Sequence, residues 1–265
     1  MALSMKKNLS IMNLIAFILM IYVNYLSGIG KINNISAGGV SGQYPTLFTP
    51  AGFTFSIWGL IYLFNFLFCI RLIWMSTTGN NENDIEKLSK YFILSCMLNI
   101  SWIYSWHYDM MTLSVFIMLG LLSTLILLYH SVSENRYTSK WSYLSTYTPI
   151  SLYLGWICIA TVANISVWLS SLMWDGRPFN PAFWAILMVI VAAFINLFIL
   201  IKKRDIVFAL VYIWAAYGIS VTRSIDISDE SLWVYRSAIA GMIVVFFGIL
   251  YAGYERLRQV RNSNP

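Results

Sequence analysis

Eight apolar stretches, each about 17–23 residues long and separated by short polar breaks, restrict this chain more than any other feature of its sequence. They fall at about 11–28, 53–75, 91–107, 111–131, 147–169, 182–201, 206–222 and 233–254. Each is close to the roughly 20 residues a helix needs to cross the hydrocarbon core of a bilayer. Inside that core every backbone N–H and C=O must be satisfied by the protein itself, which only helices and closed barrels achieve. The stretches are too long and too uniformly apolar for barrel strands, whose side chains alternate over about ten residues. The expected fold class is therefore an all-α polytopic membrane protein with eight spans. Composition agrees, since 59% of the 265 residues are apolar and only 11% are charged, against about a quarter charged in a soluble domain. Lys6 and Lys7 precede the first stretch as a signal n-region would, but no clear small-residue cleavage motif follows. We read that stretch as a retained helix.

The distribution of charge orients the chain. Eight spans put both termini on one side. With the N-terminus inside, thirteen Lys and Arg fall on inner segments, and only Lys31, Arg177, Arg223 and Arg236 on outer ones. Cytoplasmic loops carry that bias, so the expected location is the plasma membrane of a bacterium with both termini cytoplasmic. The net charge of +6 then reflects topology and gives no reason to expect a nucleic-acid partner. Between the first two spans lies a long outer loop, residues 29–50, rich in Gly, Asn and Ser. Loops of that length are uncommon unless they move or cover something. "DGRPFNP" reads as a turn into the sixth helix, and "KKRD" joins the sixth and seventh with almost no linker.

Intramembrane charge usually marks an ion or proton pathway. No Asp, Glu, Lys or His sits mid-span here, and Arg71 lies near the inner end of its helix, where it can snorkel. That pattern argues against a proton-coupled transporter, a voltage sensor or an intramembrane metalloenzyme. Cys69, Cys96 and Cys158 lie inside apolar stretches with no CxxC and no His at ligand spacing. We therefore expect neither a disulfide nor a metal site.

What remains is amide and aromatic. Trp58, Tyr62 and Asn65 stand at i, i+4 and i+7, on one face of the second helix. Asn99, Trp102 and Trp106 form a similar stripe on the third, and Tyr153, Trp156, Ala160 and Asn164 another on the fifth. Singly, such stripes serve helix packing. Converging, they would wall a pocket for a flat, largely apolar ligand, held by stacking and oriented by a few amides. On the eighth helix Ser237, Gly241, Gly248 and Ala252 form a small-residue stripe suited to close packing. Trp214, Tyr217 and Gly218 on the seventh are expected to pack rather than extend a groove.

Three of these segments carry a resemblance. "FTPAGFTFSIWGLIY" (48–62) resembles the first-loop and second-helix signature of the translocator protein family (tryptophan-rich sensory protein, TspO/MBR). "MLNISW" (97–102) resembles its third-helix L-N-x-x-W, and "YLGWICIATVANISVW" (153–168) is similar to its fifth-helix pattern. The likeness covers about residues 1–170. Phe53 stands where the family has a Trp, Ala51 where it has a second Pro, and one residue fewer separates Gly52 from Trp58. The resemblance implies a five-helix core at 1–170 with a three-helix transmembrane extension at 171–265. It implies a pocket closed by the first loop, with Pro50 and Gly52 shaping the hinge of a lid. Carried over residue by residue, the ligand-binding positions would be Pro50, Gly52, Phe53, Trp58, Tyr62, Asn99, Trp102, Tyr153, Trp156, Ala160 and Asn164. The implied ligand is a porphyrin or haem, with no obligatory cofactor, and the implied role sensory or protective. Alternatives stay open: a carrier or transporter for a small apolar molecule such as a lipid or sterol, or an enzyme degrading porphyrin in light through Trp58 and Trp156. The partners expected are the lipid bilayer and the ligand, with the protein a monomer or a homodimer.

Overall fold

The computed structural model describes residues 2–78, 82–133, 139–226 and 228–263. Residues 80–81, which begin the polar inner segment "NNENDIEK" between the second and third stretches, and Arg136, one of the thirteen inner charges, lie outside the described residues. Every regular element among those described is helical. The long helices are α1 (Ala2–Gly28), α3 (Ile57–Thr78), α4 (Glu82–His107), α5 (Met111–Ser133), α7 (Thr148–Ser171), α8 (Pro181–Lys203), α9 (Ile206–Ile225) and α10 (Asp229–Ser263). Each covers one of the expected stretches. Short α2 (Ala37–Gln43) lies in the first loop, and α6 (Lys140–Ser142) runs through a π-helical turn (Tyr143–Tyr147) into α7.

Seven of the long helices are long and apolar enough to cross a membrane, and α4 is the one that falls short. Its lower hydropathy comes from charged first turns, with Glu86, Lys87 and Lys90, and from a polar buried face. Ser89, Ser95, Asn99 and Ser105 are buried there among Phe92, Cys96 and Ile103. Two of its hydroxyls bond back to their own helix, Ser95 Oγ donating to the Phe92 carbonyl at 2.7 Å and Ser105 Oγ to the Trp102 carbonyl at 3.0 Å. A helix packed against α1 and α5 can carry such groups because protein, rather than lipid, surrounds them. Elsewhere large apolar side chains face outward. Ile11, Ile15, Ile18, Leu19 and Tyr22 do so on α1, and Phe246, Phe247, Leu250 and Tyr251 on α10, each more than half or nearly half exposed. Apolar exposure on that scale suits a lipid-facing surface. The chain is an integral, all-α polytopic membrane protein.

By contacts the chain divides into two units, one of residues 1–44 and 56–157, the other of residues 45–55 and 158–265. The boundary thus falls within α7, and part of the first loop belongs with the C-terminal helices.

In the first unit α1, α3 and α4 meet around Phe17, Phe68 and Phe92, with ring centroids 6.2 and 5.0 Å from Phe92. Asn24 Nδ2 on α1 donates to Asn99 Oδ1 on α4 at 2.7 Å. The early part of the first loop is fixed to the end of α4. Asn33 Nδ2 donates to the His107 carbonyl at 2.7 Å, and Trp106 Nε1 to the Ala37 carbonyl at 3.0 Å. Ser36 caps α2 by accepting from Gly39 N at 3.1 Å, which supplies one of the bonds a helix start lacks.

In the second unit α8, α9 and α10 pack together. The "KKRD" junction is a stop and a start in succession. Arg204 turns left-handed at φ 54° with its N–H on the Leu200 carbonyl, and Asp205 caps α9 by accepting from Phe208 N at 3.0 Å. Asn180 caps α8, with Pro181 in its first turn, where a missing N–H costs nothing. The small-residue stripe of α10 does what its spacing predicts. A Cβ at Gly241 would overlap the Tyr212 hydroxyl of α9, and one at Gly248 would press on Leu197 and Leu200 of α8. Trp214 and Gly218 of α9 likewise pack, against residues 50–54.

Candidate functional site

The first unit joins four of the expected ligand residues. Trp58 and Tyr62, one turn apart on α3, stack with centroids 5.6 Å apart and planes 28° apart. From α7, Tyr153 and Trp156 set their rings edgewise to Trp58 at 5.9 and 6.5 Å. Tyr153 and Trp156 are buried, whereas Trp58 and Tyr62 are half-buried. Offset and edge-to-face pairs of this kind stabilise by about 0.5–1.5 kcal/mol each beyond area burial. The group lies on α3 above Asn65, whose side chain is fully buried with neither Oδ1 nor Nδ2 hydrogen-bonded. Orphaned buried amides are rare, because each unmade bond costs about 1–3 kcal/mol.

Two other expected residues are partly committed elsewhere in this unit. Asn99 accepts from Asn24 through Oδ1, and its buried side chain also comes within reach of the Tyr153 side chain. Trp102 stacks on Trp106 at 5.5 Å and 25°, and Trp106 in turn holds α2, so this stripe supports the first loop.

Pro50, Gly52 and Phe53 lie in the second unit with Ala160 and Asn164. The expected hinge is a pinned segment. Ala51 N donates to the Gly218 carbonyl at 3.0 Å, and Trp214 Nε1 to the Thr54 carbonyl at 2.9 Å. Phe53 sets its ring against Trp214 at 5.5 Å and Tyr217 at 5.7 Å. These bonds coincide with a later helix start than the sequence suggests, a 3-10 turn at Gly52–Ser56 preceding α3. Ala160 is half-buried and Asn164 buried on α7.

The second unit also holds a cavity of about 660 Å³ that none of the expected residues lines. Its walls come from residues 45–48, the end of α7, the turn into α8 and the end of α9. At one edge Arg223 approaches Asp226 at 3.6 Å. The Asp226 carboxylate accepts from Ser228 N at 3.2 Å and from the Ser231 hydroxyl. In the sequence Arg223 stands out only as an outer charge. The available signal was an Arg three residues before an Asp, a spacing that pairs charges where a helix ends.

Those bonds, the Ser231 hydroxyl first, hold the Asp226 carboxyl below its usual range, with Arg223 adding to the effect. A carboxyl depressed in the folded state contributes stability above its unfolded pKa of about 3.9 and loses it as pH falls through the lower folded value. Amide protection at Ser228 and Ser231, corrected for intrinsic exchange, should therefore be flat from pH 7 to 5 and fall below about pH 4. In Asp226→Asn that acid limb should disappear. An acid limb unchanged in the variant would assign it to another group.

Comparison with known proteins adds one match. The sequence model of the family described as TSPO-like protein matches residues 10–251. It runs through α8, α9 and most of α10, which the motif resemblance did not reach. Neither the curated proteins nor the solved structures gave a match. A match that takes in nearly the whole chain shows that the chain belongs to the TSPO-like protein family.

Proposed function

We propose that this protein is a TspO-type sensory or protective membrane protein that binds a porphyrin or haem in its first unit. The ligand stacks on the Trp58, Tyr62, Tyr153 and Trp156 group and takes its polar contact from Asn65. One observation carries this reading: four rings from two helices meet on the same helix face as a buried amide with no partner. Flat apolar ligands are held in such surroundings, by stacking with a few placed polar groups. Pro50, Gly52, Phe53, Ala160 and Asn164 enter only through the family likeness. In this reading α4 is the eighth span, kept polar by its interior position, and both termini lie on the cytoplasmic side of a bacterial plasma membrane.

The test is a dim-light titration with protoporphyrin IX, followed by Trp quenching. Trp156→Phe keeps an apolar ring but loses indole area and its N–H. It should weaken binding about tenfold, or ~1.4 kcal/mol. Equal affinity in wild type and variant would remove the assignment. A second reading, light-driven degradation of the bound porphyrin, draws on the 6.5 Å approach of Trp58 and Trp156. Illumination should then bleach the porphyrin in wild type and spare it in Trp156→Phe.

A further inference from the structure

The cavity of the second unit combines an apolar wall with a one-sided charge. Phe48, Leu169, Trp174, Trp184 and Met188 belong to its apolar wall, and among the described residues its charged lining groups are Arg223 and Asp226. A volume of about 660 Å³ is within the range of small-molecule sites, roughly 300–1,000 Å³. The wall is firmly built. Trp184 Nε1 donates to the Gly176 carbonyl at 2.7 Å, and its ring meets Trp174 at 5.2 Å.

The two charges are unequally satisfied. Both oxygens of Asp226 already accept, from Ser228 N and from the Ser231 hydroxyl. Arg223 carries five N–H donors, yet its contacts are long. Nη1 reaches Ser231 Oγ at 3.4 Å and Asp226 Oδ2 at 3.6 Å, and the buried Nε has no partner. Its side chain is only 13% exposed, so water satisfies little of the remainder. The edge of the cavity thus has guanidinium donors to spare, while both oxygens of its carboxylate are already engaged. A guanidinium fork in that state matches a carboxylate or a phosphate. The cavity lies where α7, α8 and α9 end or begin, so a ligand head held there would sit at the end of the apolar segments with its body along them.

From these features we infer that the second unit holds a binding site for a single-chain anionic amphiphile, its carboxylate or phosphate head on Arg223 and its apolar chain against Phe48, Trp174 and Trp184. The site is separate from the aromatic group of the first unit and does not depend on the porphyrin reading.

The test uses the full chain in nanodiscs and three probes with the same dibrominated 18-carbon chain: the fatty acid, the lysophosphatidate and the alcohol. Bromine quenches nearby tryptophan. One or both anions should quench saturably at concentrations at least tenfold below the alcohol, and the better anion identifies the head. Arg223→Gln should abolish that advantage, and Arg223→Lys should keep part of it. Ser170→Phe, which places a ring in the cavity, should remove saturable quenching by every probe. An alcohol that binds as well as both anions overturns the inference, as does an anion advantage that survives in Arg223→Gln. If Arg223→Gln is not recovered folded, Ser170→Phe decides, and full saturable quenching by the anions there overturns the site.

Discussion

Gly218→Ala should destabilise the protein, although alanine is the better helix former by about 1 kcal/mol. The added Cβ would overlap the Thr54 hydroxyl and stand 3.1 Å from the Cβ atoms of Thr54 and Pro50. Rotating the threonine moves its hydroxyl but leaves both carbons in place, so the backbone of 50–54 must shift. That shift lengthens the bonds from Ala51 N to the Gly218 carbonyl and from Trp214 Nε1 to the Thr54 carbonyl. Overpacking of this kind costs about 1–3 kcal/mol, and the loss of two hydrogen bonds adds about 1 kcal/mol each. Net of the helix-propensity gain, a loss of about 2–4 kcal/mol should lower Tm by roughly 4–16 °C for a chain of this size, and Gly218→Leu should cost more. Thr54→Ala provides the internal control. The Thr54 hydroxyl is buried and unpartnered, so its removal alone should be close to neutral, and combined with Gly218→Ala it should restore the part of the loss due to the hydroxyl overlap, while the two carbon contacts at 3.1 Å remain. Independent effects in the double variant would mean that the two residues do not touch. The same contact bears on truncation, because a chain cut at residue 202 lacks the surface on which Pro50, Phe53 and Thr54 pack.

Asn65→Leu should move stability and binding in opposite directions. The native amide is fully buried with no partner for either polar atom. Replacing it by an apolar group of similar size should stabilise the free protein by about 1–3 kcal/mol, the cost of the unmade bonds. If that amide is kept for a ligand, the stabilised variant should bind protoporphyrin IX about tenfold or more weakly, since a hydrogen bond formed in a dry site is lost. A more stable protein that binds as before would make Asn65 a packing residue. A less stable one would show that the amide has a partner in the free protein. Asn65→Ala serves as the control for volume, as it removes the amide but leaves a void that costs stability.

The sequence by itself determined the number, type and approximate limits of the long helices. Their apolar length is a local property, and in hydrocarbon a backbone has no other way to satisfy its polar groups. Single-helix faces were equally legible. Trp58, Tyr62 and Asn65 share a stripe because helical periodicity puts them there, and the α10 glycines mark close packing because only hydrogen fits beneath the Tyr212 hydroxyl. Turn chemistry at Asn180–Pro181 and Arg204–Asp205 could be read for the same reason. Tertiary structure decided what no local pattern encodes, namely which stripes meet. It brought Trp58 to Tyr153 and Trp156 across about a hundred residues of chain but turned Asn99 toward Asn24 and Trp106 toward the Ala37 carbonyl. It also pinned residues 50–54 to α9, where the length of the first loop and the family resemblance had suggested a lid hinged at Pro50 and Gly52. Beyond the spacing of Arg223 and Asp226 the cavity had no sequence signature, because its wall comes from four separated segments. An apolar residue in each looks like ordinary lipid-facing or core material until the fold leaves a space between them and sets one under-paired guanidinium at its edge.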